Sequence, residues 1–143
     1  MALHRARKAQ EKATWDAFSK FVRTRDAIRT TGTLSEVECF TCGLHLPTAA
    51  SQAGHIISRA YRGALYNPNV VFAQCPRCNL WFEGNHVLGF LNLVKMIGWE
   101  KAVMIVEDSM KPMAYDIFQL EDIEEGCEAA REVLEEEYEQ WAK

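Results

Sequence analysis

The period of apolar and polar positions changes along the chain. From Arg5 to Arg29, Trp15, Phe18, Phe21, Val22 and Ile28 fall near one stripe at helical spacing, with Lys12, Lys20, Arg23 and Arg25 mostly off it. That pattern predicts a long amphipathic helix, stopped by Thr30-Thr31-Gly32. Between Glu36 and Gln74 the regular pieces shorten and become rich in Val, Ile and Phe, notably Val37 to Phe40, His55 to Ile57 and Val70 to Ala73. These predict strands, separated by loop chemistry at Pro47 to Gln52 and by a turn at Tyr66-Asn67-Pro68-Asn69. Helical spacing returns after Gly84: Asn85 is placed to cap a helix through Ile97, Gly98 to end it, and Trp99 to Val106 to form another. Pro112 opens a new segment. From Leu120 onward, Leu120, Ile123, Cys127, Ala130, Leu134 and Trp141 keep a three-four spacing among glutamates, which predicts an acidic amphipathic helix.

Length favours one globular domain with appended helices over two independent domains: the chain has 143 residues. With 48% hydrophobic and 25% charged residues, wholesale disorder is excluded. No apolar run approaches the roughly 20 residues a membrane span needs. The first residues are charged with no apolar stretch behind them, so no secretory leader is expected and the expected location is the cytoplasm. The net charge of −4 averages two unlike halves. Residues 1–86 hold eleven Lys/Arg against six Asp/Glu, whereas residues 87–143 hold five against fourteen. A polyanion would meet the first half, with Lys20, Arg23 and Arg25 of the basic helix as phosphate contacts.

In a chain expected to stay in the cytoplasm, five cysteines read as metal ligands or free thiols rather than as a disulfide framework. Cys39-Phe40-Thr41-Cys42 and Cys75-Pro76-Arg77-Cys78 are two Cys-x-x-Cys knuckles 32 residues apart, each followed by a residue able to turn the chain, Gly43 and Asn79. Four thiolates at this spacing close a tetrahedron with no open position, which predicts a structural Zn²⁺ site, with iron as the alternative. Zinc would staple a segment that has little core of its own. Cys127 is left over and reads as a small buried residue of the last helix.

Between the knuckles, Gly54-His55-Ile56-Ile57-Ser58-Arg59 places a histidine at the head of a β-branched run. Alone, such a histidine is usually a hydrogen-bonded structural residue. Its setting between two knuckles, with Asn79 directly after the second and Glu83-Gly84-Asn85 soon after that, changes the reading.

Cys-x-x-Cys, then Gly-His-x-x-Ser-Arg, then Gln-Cys-x-Arg-Cys-Asn and a nearby Gly-Asn resemble the NinG (Rap) recombination endonucleases of lambdoid phages, within the HNH or His-Me finger nucleases. The resemblance spans about Trp15 to Val106, and the four-cysteine site with a histidine between the knuckles is also similar to that of phage endonuclease VII. It implies that His55 is the general base removing a proton from the attacking water, and that Asn79 ligates a catalytic Mg²⁺ or Mn²⁺ through its amide oxygen. Neutral imidazole can accept a proton at pH 7, and a hard cation prefers oxygen donors. Arg59 could clamp a phosphate oxygen with its planar fork or stand as a surface arginine.

Many HNH enzymes carry Asp, Glu or His directly before the base as a metal ligand, where this chain and the NinG pattern have Gly54. Glu83 and Asn85 are the candidates for a further catalytic-metal ligand, with helix capping the competing role for Asn85. Asn69 is the nearest match to the middle Asn of the HNH motif and is assigned a structural role in its loop. His45 and His86 read as bystanders, His86 being the nearer to substrate.

The expected fold is α+β: a zinc-stapled ββα-metal (His-Me finger) core at residues 33–106, a basic N-terminal helix at 1–32 and an acidic C-terminal helical segment at 107–143. The expected function is divalent-metal-dependent hydrolysis of DNA phosphodiester bonds, in branched DNA or Holliday junctions of phage recombination. The competing class is a non-catalytic zinc module that binds nucleic acid or protein, which needs the cysteines but neither His55 nor Asn79. A homodimer is expected if the stripe from Leu120 to Trp141 pairs with its mate, and the alternative buries that stripe within one chain.

Overall fold

A computed structural model describes residues 1–143. Helix α1 runs Ala2–Thr31 and ends where Gly32 takes the left-handed conformation (φ 68°) and donates its N–H to the Ile28 carbonyl. It extends past both ends of the apolar stripe, because Ala, Arg, Lys and Gln around residues 2–10 are good helix formers without needing to be buried. Buried Asp26 ties α1 to the sheet behind it. Its Oδ2 accepts from the Ala73 N–H (2.7 Å), while Oδ1 accepts from Arg25 Nε (2.8 Å) and Arg29 Nη2 (2.7 Å). These charge-assisted bonds offset the cost of taking a carboxylate out of water.

Strands β1 (Glu36–Glu38) and β2 (His45–Pro47) form a hairpin in which Val37 pairs with Leu46. The first expected strand therefore stops short of Phe40, because the Cys39 N–H turns to the Leu44 carbonyl and Gly43 (φ 78°) donates back to Cys39. Strand β2 carried no sequence signal, being three residues that end in Pro47. Strands β3 (Gln52–His55) and β4 (Val71–Gln74) pair antiparallel, Gly54 opposite Phe72 and His55 opposite Val71. His55 thus closes a strand rather than opening one; the chain leaves the ladder after it and Ile56 goes into the core.

A short π-helical segment, Arg77–Trp81, follows the second knuckle and leads to α2 (His86–Ile97), α3 (Trp99–Ser109) and α4 (Ile117–Ala142). Asn85 stands at the cap position of α2 in a left-handed conformation (φ 50°), and its side chain makes no capping bond there. The working cap is at α4, where Asp116 and Gln119 form a reciprocal capping box.

The architecture is α+β, with two small antiparallel sheets framed by helices. One core joins all three expected segments: Phe18 and Val22 of α1, Phe72 of β4, Leu93 of α2, Ala102 of α3 and Leu120 of α4. Ile123 and Cys127 lean on that core, and the Thr14 hydroxyl donates to the Leu120 carbonyl (2.9 Å). The near end of the α4 stripe is thus packed within the chain, whereas Trp141 at its far end is 80% exposed. No helix is long and apolar enough to cross a membrane.

Candidate metal centre and histidine cleft

The fold brings the two knuckles together through Phe40 and Gln74, and Asn92 ties the first of them to α2. The Phe40 N–H donates to the Ala73 carbonyl (2.9 Å), and the Phe40 ring stacks on Phe72 with centroids 3.8 Å apart. Asn92 of α2 donates to the carbonyls of Phe40 (3.0 Å) and Thr41 (2.9 Å). Gln74, wholly buried, donates from Nε2 to the Thr41 hydroxyl (2.7 Å) and to the Gly84 carbonyl (2.9 Å).

The result is that the sulfurs of Cys39, Cys42, Cys75 and Cys78 all lie within 4.8 Å of one another, with Cys42 Sγ 3.7 Å from Cys75 Sγ. A tetrahedron built on metal–sulfur bonds of about 2.3 Å has an edge of about 3.8 Å, so the donor set and spacing suit a metal such as zinc. Burial raises the thiols of Cys42 and Cys78. At Cys39 burial acts the same way but is outweighed by backbone N–H groups of Cys42, Cys75 and Thr41, which hold this thiol below its ordinary value. The Asn85 amide faces Cys78 Sγ at 3.9 Å, on the cysteine side of the loop.

Beside the cluster lies an open cleft of about 720 Å³, floored by β3 and walled by α1 on one side and the Arg77–Gly84 stretch on the other. His55, Arg59, Asn79 and Glu83 all line it; Asn85 does not. His86, read from sequence as a bystander, also lines it, with Nε2 packed over Gly84 so closely that a Cβ there would lie 2.6 Å away. His45 is elsewhere, 3.4 Å from Glu38 across the first hairpin, and Asn69 donates its N–H to Asn67 Oδ1 (2.9 Å) in the turn before β4.

His55 is 7% exposed. Its Nε2 lies 3.1 Å from the Leu65 carbonyl, which can only accept, so Nε2 carries the proton and Nδ1 keeps the lone pair. The Trp15 indole stacks on the imidazole, centroids 5.4 Å apart and planes 14° from parallel. Burial pushes the His55 pKa down to about 4, with the Leu65 carbonyl opposing and the Arg59 and His86 charges adding to the fall. The ring is therefore neutral at pH 7.

Asn79 gives its Nδ2 to Gln52 Oε1 (2.8 Å), and its Oδ1 lies near Gly54. Arg23 of α1 brings a half-buried guanidinium to the cleft, anchored on the Ser19 carbonyl (3.3 Å). Arg25, paired with it in the sequence reading, is committed to the fold instead: besides Asp26 it donates to the carbonyls of Pro68 (2.7 Å) and Val71 (2.9 Å). Lys20 is exposed and not part of the cleft lining.

Sequence reasoning missed Trp15 as the partner of His55, gave no role to Gln52, and quoted Gln74 within the family motif without assigning it one. Trp15 was indistinguishable from other stripe residues. For Gln74 the available signal was Gly54, a residue without a side chain in a strand, which marks a place where something else approaches.

Fold and site together define a class: an α+β protein with a four-cysteine cluster that could hold a metal, set against a polar cleft around a buried histidine. The family model described as Bacteriophage Lambda NinG protein matches residues 2–137, and the chain belongs to the NinG family. No curated protein and no solved structure matches it.

Proposed function

We propose that this protein is a divalent-metal-dependent DNA endonuclease that hydrolyses phosphodiester bonds in branched or recombination-intermediate DNA. The His-Me finger core of this reading is made of β3, β4 and the helical stretch beginning at Arg77, stapled by zinc on the four cysteines. The observation that carries it is the state of His55: an imidazole neutral at pH 7, held on both sides by Leu65 and Trp15, with its free nitrogen fixed as Nδ1.

In this reading His55 takes the proton of the attacking water at Nδ1, and the Leu65 carbonyl stabilises the imidazolium that results. Asn79 Oδ1 and the Glu83 carboxylate are oxygen donors on the cleft, the chemistry a hard cation selects, and would hold Mg²⁺ or Mn²⁺. When bound, that ion supplies stabilisation of charge developing on the phosphate and the leaving oxygen. Arg59 and Arg23 seat flanking phosphates. Resolving a junction takes two nicks on opposing strands, so a homodimer belongs to this reading.

The test is cleavage of supercoiled plasmid and of a four-way junction with Mg²⁺ or Mn²⁺, comparing the parent with His55→Ala. The variant is expected to lose about 10²–10⁴-fold in rate while it still folds and keeps its zinc content. A variant that cuts as fast as the parent, or a parent that cuts neither substrate, overturns the reading and leaves a zinc module that binds nucleic acid or protein.

A further inference from the structure

The stretch that walls the cleft presents three consecutive large apolar side chains to solvent: Leu80 is 59% exposed, Trp81 81% and Phe82 51%. Contiguous exposed apolar side chains of this kind mark an interaction surface. It is not a loose loop. Cys78 anchors one end in the cysteine cluster, and the Gly84 carbonyl is gripped by Gln74 at the other (2.9 Å). Between them the Gly84 N–H bonds back to the carbonyls of Cys78 (3.1 Å) and Asn79 (3.0 Å), and the Asn85 N–H to that of Phe82 (2.8 Å). The backbone at Glu83 is left-handed (φ 50°), an uncommon conformation for a non-glycine residue.

The ridge is continuous with the cleft, since Leu80 lines it and Asn79 directly precedes Leu80. Its charge surroundings are cationic. The Arg77 guanidinium lies 5.3 Å from the Phe82 ring centroid, Arg23 and Arg59 line the cleft, and Glu83 is the single acidic residue of the lining. None of the α4 glutamates reaches it. Rigid exposed aromatics beside guanidinium groups suit a partner that offers flat apolar faces within an anionic backbone.

We propose that Trp81, supported by Leu80 and Phe82, receives bases displaced from their stack, so that the cleft engages DNA where its helix is interrupted. An indole offers a base a stacking face whatever its identity, and arginines hold the phosphates on either side. Continuous duplex offers phosphates but no free base face, and so gains only the arginine contacts. This rests on the DNA-nuclease reading and names what selects the substrate within it.

The test is binding without divalent cation, so that nothing is cut. Fluorescence anisotropy is measured on a perfect duplex and on the same duplex carrying four central unpaired bases, one of them 2-aminopurine. The parent is expected to prefer the interrupted duplex by about tenfold and to quench the 2-aminopurine. Trp81→Ala should bring the preference within twofold and abolish the quenching, leaving perfect-duplex affinity, its salt slope and zinc content unchanged; Trp81→Phe should restore most of both. A Trp81→Ala variant that keeps preference and quenching overturns the inference while the nuclease reading stands. So does sedimentation showing that the parent self-associates through this ridge and the variant does not. A parent that binds neither DNA overturns both.

Discussion

A Cβ added to Gly54 would lie 1.7 Å from Gln74 Oε1: the carboxamide of β4 occupies the space where a side chain on β3 would stand. The position preceding the histidine therefore has no room for a side chain. Gln74 cannot easily withdraw, because its Nε2 is held by Thr41 in the first knuckle and by Gly84 at the cleft. One buried amide thus links the cysteine cluster to the cleft. Gly54→Ala is expected to cost about 2–4 kcal/mol, combining overpacking with lost buried hydrogen bonds. Urea unfolding reads this, and pairing Gly54→Ala with Gln74→Ala should recover part of the loss in a double-mutant cycle.

Metal on the four cysteines should appear as folding free energy, since the knuckles are otherwise joined chiefly through Phe40 and Gln74. One zinc per chain is expected by elemental analysis. Chelation, or Cys75→Ser, should lower the melting temperature by 10 °C or more, on the order of several kcal/mol for a domain of this size. Zinc content near zero in a folded, chelator-free preparation would remove the staple.

His55 makes stability depend on pH with a definite sign. Its native pKa is near 4 and its unfolded pKa near 6.5, so between those values the unfolded chain binds a proton that the native one refuses. Stability is full above about pH 6.5 and falls as the pH drops toward 4, by about 3 kcal/mol from this group. Comparing unfolding of the parent and of His55→Gln across pH 4–7 isolates the effect: the difference between them should shrink as the pH falls.

The basic residues of α1 should separate into two kinds. Arg25→Ala is expected to cost about 2 kcal/mol or more of stability, because it removes one of the three donors to buried Asp26 and a donor to the carbonyls of Pro68 and Val71. Arg23→Ala, which loses longer bonds to the Ser19 and Thr48 carbonyls, should cost less stability than Arg25→Ala and weaken DNA binding for all sequences alike, reducing the salt slope by about one.

The two ends of the α4 stripe should also differ. Leu120→Ala removes a fully buried side chain and is expected to cost about 2–5 kcal/mol at any protein concentration. Trp141→Ala should leave the monomer's stability unchanged. If a homodimer forms through this helix, sedimentation at micromolar concentration should show it weakened by Trp141→Ala.

Local patterns in the chain were sufficient for the helices, the knuckles and the breaks at Gly32 and Gly98, because helical periodicity and Cys-x-x-Cys spacing are properties of neighbouring residues. The resemblance to the NinG family marked His55, Asn79 and Glu83 as chemistry-bearing, and all three line one cleft. Strand limits were less legible: β2 is three residues without a pattern, and β3 stops at His55 because the chain must leave the sheet for Ile56 to enter the core. Tertiary structure alone decided which nitrogen of His55 is free, since that depends on a carbonyl ten residues away, and that Trp15 covers its ring from a helix forty residues earlier. It separated Arg23 from Arg25 on the same helix, turned Asn85 toward Cys78, and put Gln74 in the place of a Gly54 side chain. Each of these is a contact between residues remote in sequence, where packing and hydrogen-bond geometry act and local propensity carries no information.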